Sequence, residues 1–199
     1  METTGTNKVL SETFGATQGS ALLLKQAALV VLGIAALAIA AKIKVPMWPV
    51  PITMGTFAVL TVGAAYGPRL GLVTILGYMI IGVLGFDIFA NSTAEINGLD
   101  YMMGGTGGYL VGYVLATLAL GTLARRGWDR SFVLMAVAML IGNVLVYVPG
   151  LLWLGQLYGW DKPILEWGLT PFLVGDAIKL VLAALLLPLV WKAVGKARA

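Results

Sequence analysis

Long uncharged apolar runs, separated by short polar or glycine- and proline-rich turns, dominate the chain. Six stand out, at 21–41, 52–66, 70–90, 106–124, 131–156 and 171–194. A helix needs about 20 mostly apolar residues to cross a bilayer. Unpaired backbone polar groups are not tolerated in lipid, so each run is predicted to be a membrane helix. The run at 52–66 is short for a full crossing, which predicts a tilted helix or one packed among the others. Nothing remains for a second domain. The expected fold class is therefore an all-α integral membrane protein, one six-helix bundle in a single transmembrane domain, 1–199, led by a polar tail at 1–20.

Composition agrees and adds orientation. Hydrophobic residues make up 59% and charged residues 11%, against about 45–50% and 25% in soluble domains. That is too little charge to coat a soluble surface. Lys and Arg mark the cytoplasmic side of membrane helices. Lys8, Lys25, Arg69, Arg125, Arg126, Arg130, Lys192, Lys196 and Arg198 fall on one side of the predicted bundle, and only Lys42, Lys44 and Lys162 on the other. Both termini are thus expected in the cytoplasm, with the chain in the cell membrane. The net charge of +4 is accounted for by this topology and gives no case for a nucleic-acid partner. Lys25, the apolar stretch after it and Ala38-Ile39-Ala40 also fit a cleaved leader. The polar lead before them favours retention, and the first helix is expected to stay.

Connections on the basic side are tight, at Gly67-Pro68-Arg69 and 125–130. Those on the opposite side are longer, at 42–51, 91–105 and 157–170. In the first of these, Pro46, Pro49 and Pro51 hold much of the backbone extended and remove donors. A semi-rigid cover carrying apolar side chains is expected there. Loops on a rigid scaffold commonly carry function, so the outer face is where a site is sought.

Asp176 and Lys179 are the leading candidates. Three residues apart, they share a helix face, and an ionisable group inside a span costs at least about 2.5–3.5 kcal/mol on insertion scales. Their depth below the outer face favours a cavity over a structural ion pair near the helix end. Asn91 is a second candidate, either a site amide or a turn residue. Tyr109, Tyr113, Trp48, Trp153 and Trp160 are interface aromatics by default, and any that turns inward offers a stacking surface. The string Gly104-Gly105-Thr106-Gly107-Gly108 lacks the Lys-Ser/Thr of a phosphate loop. Gly107, Gly108 and Gly112 are instead read as points of close helix approach. Gly33, Ala36 and Ala40 form a small-residue stripe on the first helix, for packing or for docking another membrane protein. With no histidine, no cysteine and no ligand cluster, catalysis, a metal and a cofactor are not expected. Uphill movement would take its energy from a partner or an ion gradient.

Taken together, four strings resemble the BioY family, the biotin-specific S component of energy-coupling factor (ECF) transporters. They are Val45-Pro46…Pro49-Val50-Pro51-Ile52-Thr53, Gly67-Pro68-Arg69-Leu70-Gly71, Thr106-Gly107-Gly108-Tyr109-Leu110-Val111-Gly112 and Pro171-Phe172-Leu173-Val174-Gly175-Asp176-Ala177-Ile178-Lys179. The resemblance covers about 35–189. It implies six helices, biotin bound from the outer face, and a first loop closing over the vitamin. It also implies that the small residues of the first helix meet an energy-coupling membrane subunit driven by cytoplasmic ATP-binding cassette ATPases. The implied ligand set is Asp176, Lys179, Asn91, Tyr109, Thr53 and Trp48, in a pocket made by the third and sixth helices under 44–53. Asp176 suits a ureido N–H, Lys179 the ureido oxygen or the carboxylate, and an amide such as Asn91 either. A self-sufficient secondary transporter of biotin or another small vitamin is the alternative.

Overall fold

The structure, a computed structural model, describes residues 8–198, with side chains through Gly195. Residues 1–7 of the predicted polar tail lie outside the described residues, as do the side chains of Lys196 and Arg198 assigned to the basic end. The ordered elements are α1 (Gly19–Lys42), β1 (Lys44–Val45), β2 (Ile52–Thr53), α2 (Gly55–Val83), α3 (Gly98–Met102), α4 (Gly107–Arg125), α5 (Phe132–Tyr158), α6 (Ile164–Gly168) and α7 (Leu173–Arg198). Five stretches are long and apolar enough to cross a membrane: Gly19–Lys42, Gly55–Val83, Gly107–Arg125, Phe132–Tyr158 and Ile164–Gly195. Leu23, Leu24, Val31 and Leu32 on α1, and Leu140, Val144, Val148 and Leu152 on α5, are exposed. Contiguous apolar surface of this kind is an interaction surface, and here its natural solvent is lipid.

The runs at 52–66 and 70–90 meet in α2, whose backbone leaves helical geometry at Gly67 (φ 77°, ψ 175°). Only glycine takes that conformation without strain, and Pro68 then starts the second arm, where its missing N–H is harmless. The chain doubles back at this point. A Cβ on Gly71 would sit 3.5 Å from Gly63 Cα, whereas eight residues of straight helix span about 12 Å. The second arm stops at Val83, short of the predicted residue 90. Gly85 follows with φ 93°, and residues 84–97 form a loop. Asn91 therefore stands in that loop and not at a helix end. Phe89 folds back over Gly82, where a Cβ would fall 2.0 Å from its ring. It stacks on Tyr101 at 4.9 Å and meets Tyr78 edge-on.

The core lies among α2, α4, α5 and α7, with Leu60, Leu120, Met135, Met139, Val146 and Ala183 buried in it. α4 approaches its neighbours through glycine. A Cβ on Gly108 would lie 2.3 Å from Pro149 O, one on Gly112 2.6 Å from Val146 Cα, and one on Gly121 2.4 Å from Pro68 N. Small residues let membrane helices touch backbone to backbone, as expected for Gly108 and Gly112. α1 lies at the edge of the bundle and buries only Gly33, Leu37, Ala40 and Ala41. That spacing is one helical stripe.

Side-chain contacts define two ends. At one, Lys42 pairs with Asp87 at 2.5 Å, and Trp48 meets Tyr158 and Trp167. At the other, Arg125 pairs with Glu12 at 2.6 Å, and Trp191 Nε1 donates to Asp129. They are called the hairpin end and the basic end below.

Candidate functional site

β1 and β2 form a two-stranded antiparallel hairpin in which Lys44 faces Thr53 and Val45 faces Ile52. Between them run the prolines, with a cis bond at Trp48–Pro49. Val50 is buried, and Val50, Pro51 and Thr53 form the roof of a cavity of about 60 Å³. The expected cover is thus in place. Lys44 fastens it by donating to Ala90 O at 2.5 Å and to Asn91 Oδ1 at 2.7 Å.

Below the roof the walls are mainly α2, α4 and α5, with Leu37 and Ala41 from α1 and Phe172 from the start of the last helical segment. The lining is aromatic and apolar with a few hydroxyls, the usual make-up of a small-molecule site. Tyr78, Tyr101, Tyr109, Tyr113 and Tyr147 contribute rings, and Thr53, Thr56 and Thr106 contribute hydroxyls. Several phenols are anchored. Tyr109 donates to Gly168 O at 2.8 Å, Tyr78 to Ile88 O at 3.1 Å, and Tyr113 hydrogen-bonds with Thr53. Tyr101 stands in the loop helix α3, outside the spans. Burial pushes its phenol pKa up, so it remains a neutral hydroxyl.

Asp176 and Lys179 meet at 2.8 Å, with 6% and 8% of their side chains exposed. Each reaches the cavity wall through a hydroxyl. Tyr147 donates to Asp176 Oδ2, and Lys179 Nζ donates to Thr56 Oγ1 at 3.1 Å. With its proton given to Asp176, the Tyr147 oxygen is an acceptor. With one lone pair taken by Lys179, the Thr56 hydroxyl still has its proton to donate. A buried ion pair thus sits directly behind two complementary wall groups, and such hydrogen-bonded chains polarise one another.

The other expected site residues fall in different places. Thr53 and Tyr109 line the cavity. Asn91 is partly buried in its loop with its amide oxygen engaged by Lys44. Trp48 is 65% exposed and lies edge-on to Tyr158 at 5.4 Å and Trp167 at 5.0 Å, on the outer side of the roof. Gly33 packs within the chain, where a Cβ would fall 2.6 Å from Thr74 Cγ2. Ala40 is buried as well, whereas Ala36 faces outward. The small-residue stripe therefore divides between packing and surface. Tyr147 and Thr56 escaped sequence reasoning. Tyr147 lies about 16 Å from the end of α5 at 1.5 Å per residue, too deep for an interface aromatic, and a buried phenol calls for a polar partner. Among the described residues, no three His, Cys, Asp or Glu side chains gather into a group able to hold a metal ion.

Comparison with known proteins adds the following. The family model described as "BioY family" matches residues 7–196. The probable biotin transporter BioY of Pyrococcus horikoshii is 34% identical over 81% of this chain and 93% of its own length. The biotin transporter BioY of Thermotoga maritima is 31% identical over 76% and 87%. Among solved structures, the S component for biotin from an ECF-type ABC transporter superposes with a TM-score of 0.71, covering 88% of this chain and 95% of that one at 19% identity. At that identity the likeness is one of fold.

Proposed function

Because this chain belongs to the BioY family, we propose that it is the substrate-binding S component for biotin uptake. It captures biotin at the hairpin end and passes it across the membrane with an energy-coupling subunit and cytoplasmic ATP-binding cassette ATPases. The observation that carries this reading is the buried Asp176–Lys179 pair behind the Tyr147 and Thr56 hydroxyls, at the wall of a roofed, aromatic cavity. A polar end of biotin reaches the pair by exchanging with those hydroxyls. An N–H replaces Tyr147 at the carboxylate, and an oxygen replaces Thr56 at the ammonium. Thr53, Tyr109 and the remaining tyrosines hold the apolar ring and tail. Asn91 and Trp48 act through the roof, Asn91 as the anchor of Lys44 and Trp48 as part of its outer aromatic seal.

The two arms of α2 count as separate crossings in this reading. The chain then crosses six times and both termini share the basic end, which the distribution of Lys and Arg assigns to the cytoplasm. The hairpin end faces out, where biotin arrives. The outward-facing Ala36 marks the side of α1 that meets the coupling subunit.

Equilibrium binding of labelled biotin to the purified, detergent-solubilised chain tests the proposal, with thiamine and riboflavin in parallel. Saturable nanomolar binding of biotin alone is the expected result. A folded protein that binds none of the three, or prefers another vitamin, overturns the assignment.

A further inference from the structure

At the basic end a second, larger cavity of about 320 Å³ opens between the start of α1 and the turn of α2. It is unconnected with the site under the roof and belongs to none of the steps above. Its rim carries Lys25, Arg69 and Arg125 against the single carboxylate of Glu12. Leu22, Leu29, Leu70 and Val73 line its apolar part. Glu12 is already committed to Arg125, at 2.6 Å. Lys25 donates to Phe14 O at 2.6 Å and Ala16 O at 3.5 Å, neutral acceptors that leave its charge uncompensated. Arg69 is exposed and makes no hydrogen bond or ion pair among the described residues.

We propose that this cleft holds the headgroup of one anionic phospholipid. Its phosphate would be gripped by Arg69 and faced by Lys25, and an acyl chain would run over Leu29 and Val73. A guanidinium presents paired N–H donors that match phosphate oxygens. Basic pockets between membrane helices are where such headgroups bind. The position carries the argument further. α1 is the edge helix and Val73 of the apolar wall is 55% exposed, while Lys25 stands about 9 Å along α1 from Gly19 at 1.5 Å per residue. A basic rim above apolar walls at the membrane surface reproduces the order of charge and chain in a phospholipid. This inference does not rest on the biotin reading, and either can fail without the other.

The test is native mass spectrometry of the purified full chain titrated with phosphatidylglycerol, phosphatidylcholine or inorganic phosphate. Arg69→Gln, Arg69→Lys and Lys192→Gln are run beside it, with thermal midpoints measured for each. The wild type and Lys192→Gln are expected to retain phosphatidylglycerol over phosphatidylcholine. Arg69→Gln is expected to lower that preference about fivefold at an unchanged midpoint, the factor for one basic contact at a membrane surface, with Arg69→Lys in between. Equal retention by wild type and Arg69→Gln overturns the proposal. So does displacement of the lipid by millimolar inorganic phosphate, which would mark a site for a free anion.

Discussion

The Asp176–Lys179 pair is poorly explained by stability alone. Replacing a buried ion pair with apolar residues is often neutral or stabilising, while removing one partner costs about 3–5 kcal/mol. Those two facts separate structural from binding roles. Asp176→Asn is expected to weaken biotin binding by about 1.5–3 kcal/mol, the range for a hydrogen bond to a charged group, and to lower the thermal midpoint as well. The double variant Asp176→Asn/Lys179→Met is expected to recover much of the midpoint and none of the binding. Recovery of both, by calorimetry and labelled-biotin titration, would reduce the pair to packing. The pair was legible in the sequence because two charges in an apolar run demand an explanation. Tyr147 and Thr56 were not, since hydroxyls are cheap to bury in a helix and nothing marks which ones face a cavity. A different residue sets a pH dependence at the basic end. Asp129 is buried, with one carboxylate oxygen bonded by Trp191 Nε1 at 2.6 Å and the other without a partner. Burial outweighs the Trp191 bond and the nearby Arg130 and raises its pKa to about 6. Between the ordinary carboxylate value and about 6 the folded chain binds more protons than the unfolded one, so stability falls as pH rises through that window. The loss is on the order of 2–3 kcal/mol, from about 1.4 kcal/mol per pKa unit. Thermal midpoints from pH 4 to 7 should therefore decline more steeply in the wild type than in Asp129→Asn, which keeps an acceptor for Trp191 without the charge.

Among the elements, α4 is the one that least tolerates added volume. Its glycines meet backbone on α5 and at the α2 turn, and backbone cannot swing aside as a side chain can. Gly112→Ala puts a Cβ 2.6 Å from Val146 Cα, and overpacking of this kind costs about 1–3 kcal/mol. A lowered midpoint is the expected outcome. An unchanged midpoint would mean that α4 and α5 separate freely. The hairpin behaves in the opposite way. Lys44 is exposed and tethers the roof to the 84–97 loop through Ala90 O and Asn91. Lys44→Met is expected to change folding stability by no more than about 0.5 kcal/mol, as surface changes usually do, while biotin dissociates faster in stopped-flow or chase experiments. The apolar runs made the long helices legible, and the three prolines made the cover legible. The end of the second α2 arm was not, because residues 84–90 are as apolar as a helix and turn on Gly85 and on Phe89 folding back over Gly82. The walls of the cavity were only partly legible for a related reason. Sequence reasoning drew them from the segments carrying polar candidates, the third and sixth predicted helices. Those segments do contribute, through Tyr78, Phe89 and Ala90 and through Phe172, but the first arm of α2, α4 and α5 add walls whose side chains look like ordinary core.

At the scale of the whole molecule, the bundle divides its work between a rigid interior and an edge helix. α2, α4, α5 and α7 share one core, and α1 is attached chiefly through Gly33, Leu37, Ala40 and Ala41. The rest of α1 is apolar and turned outward. In the proposed reading, the face gripped by a separate engine without disturbing the pocket is the outer side of α1. The stripe Gly33, Ala36, Ala40 looks uniform in sequence, but its members do opposite things, and mutation should separate them. Gly33→Leu drives a side chain into Thr74 and Tyr66 and is expected to lower the thermal midpoint and biotin binding together. Ala36→Leu points outward and is expected to leave both at wild-type values. In membranes containing the coupling subunit and ATPases, the same Ala36→Leu should reduce co-purification and uptake. Uptake at the wild-type rate by Ala36→Leu would move the coupling surface to another face of the bundle. Uptake by the chain in a host without any coupling subunit, abolished by an uncoupler at constant ATP, would favour the secondary-transport alternative. On the proposed reading, biotin binding at the hairpin end and energy supply at the edge helix would be separable properties of one fold, each with its own residue to test.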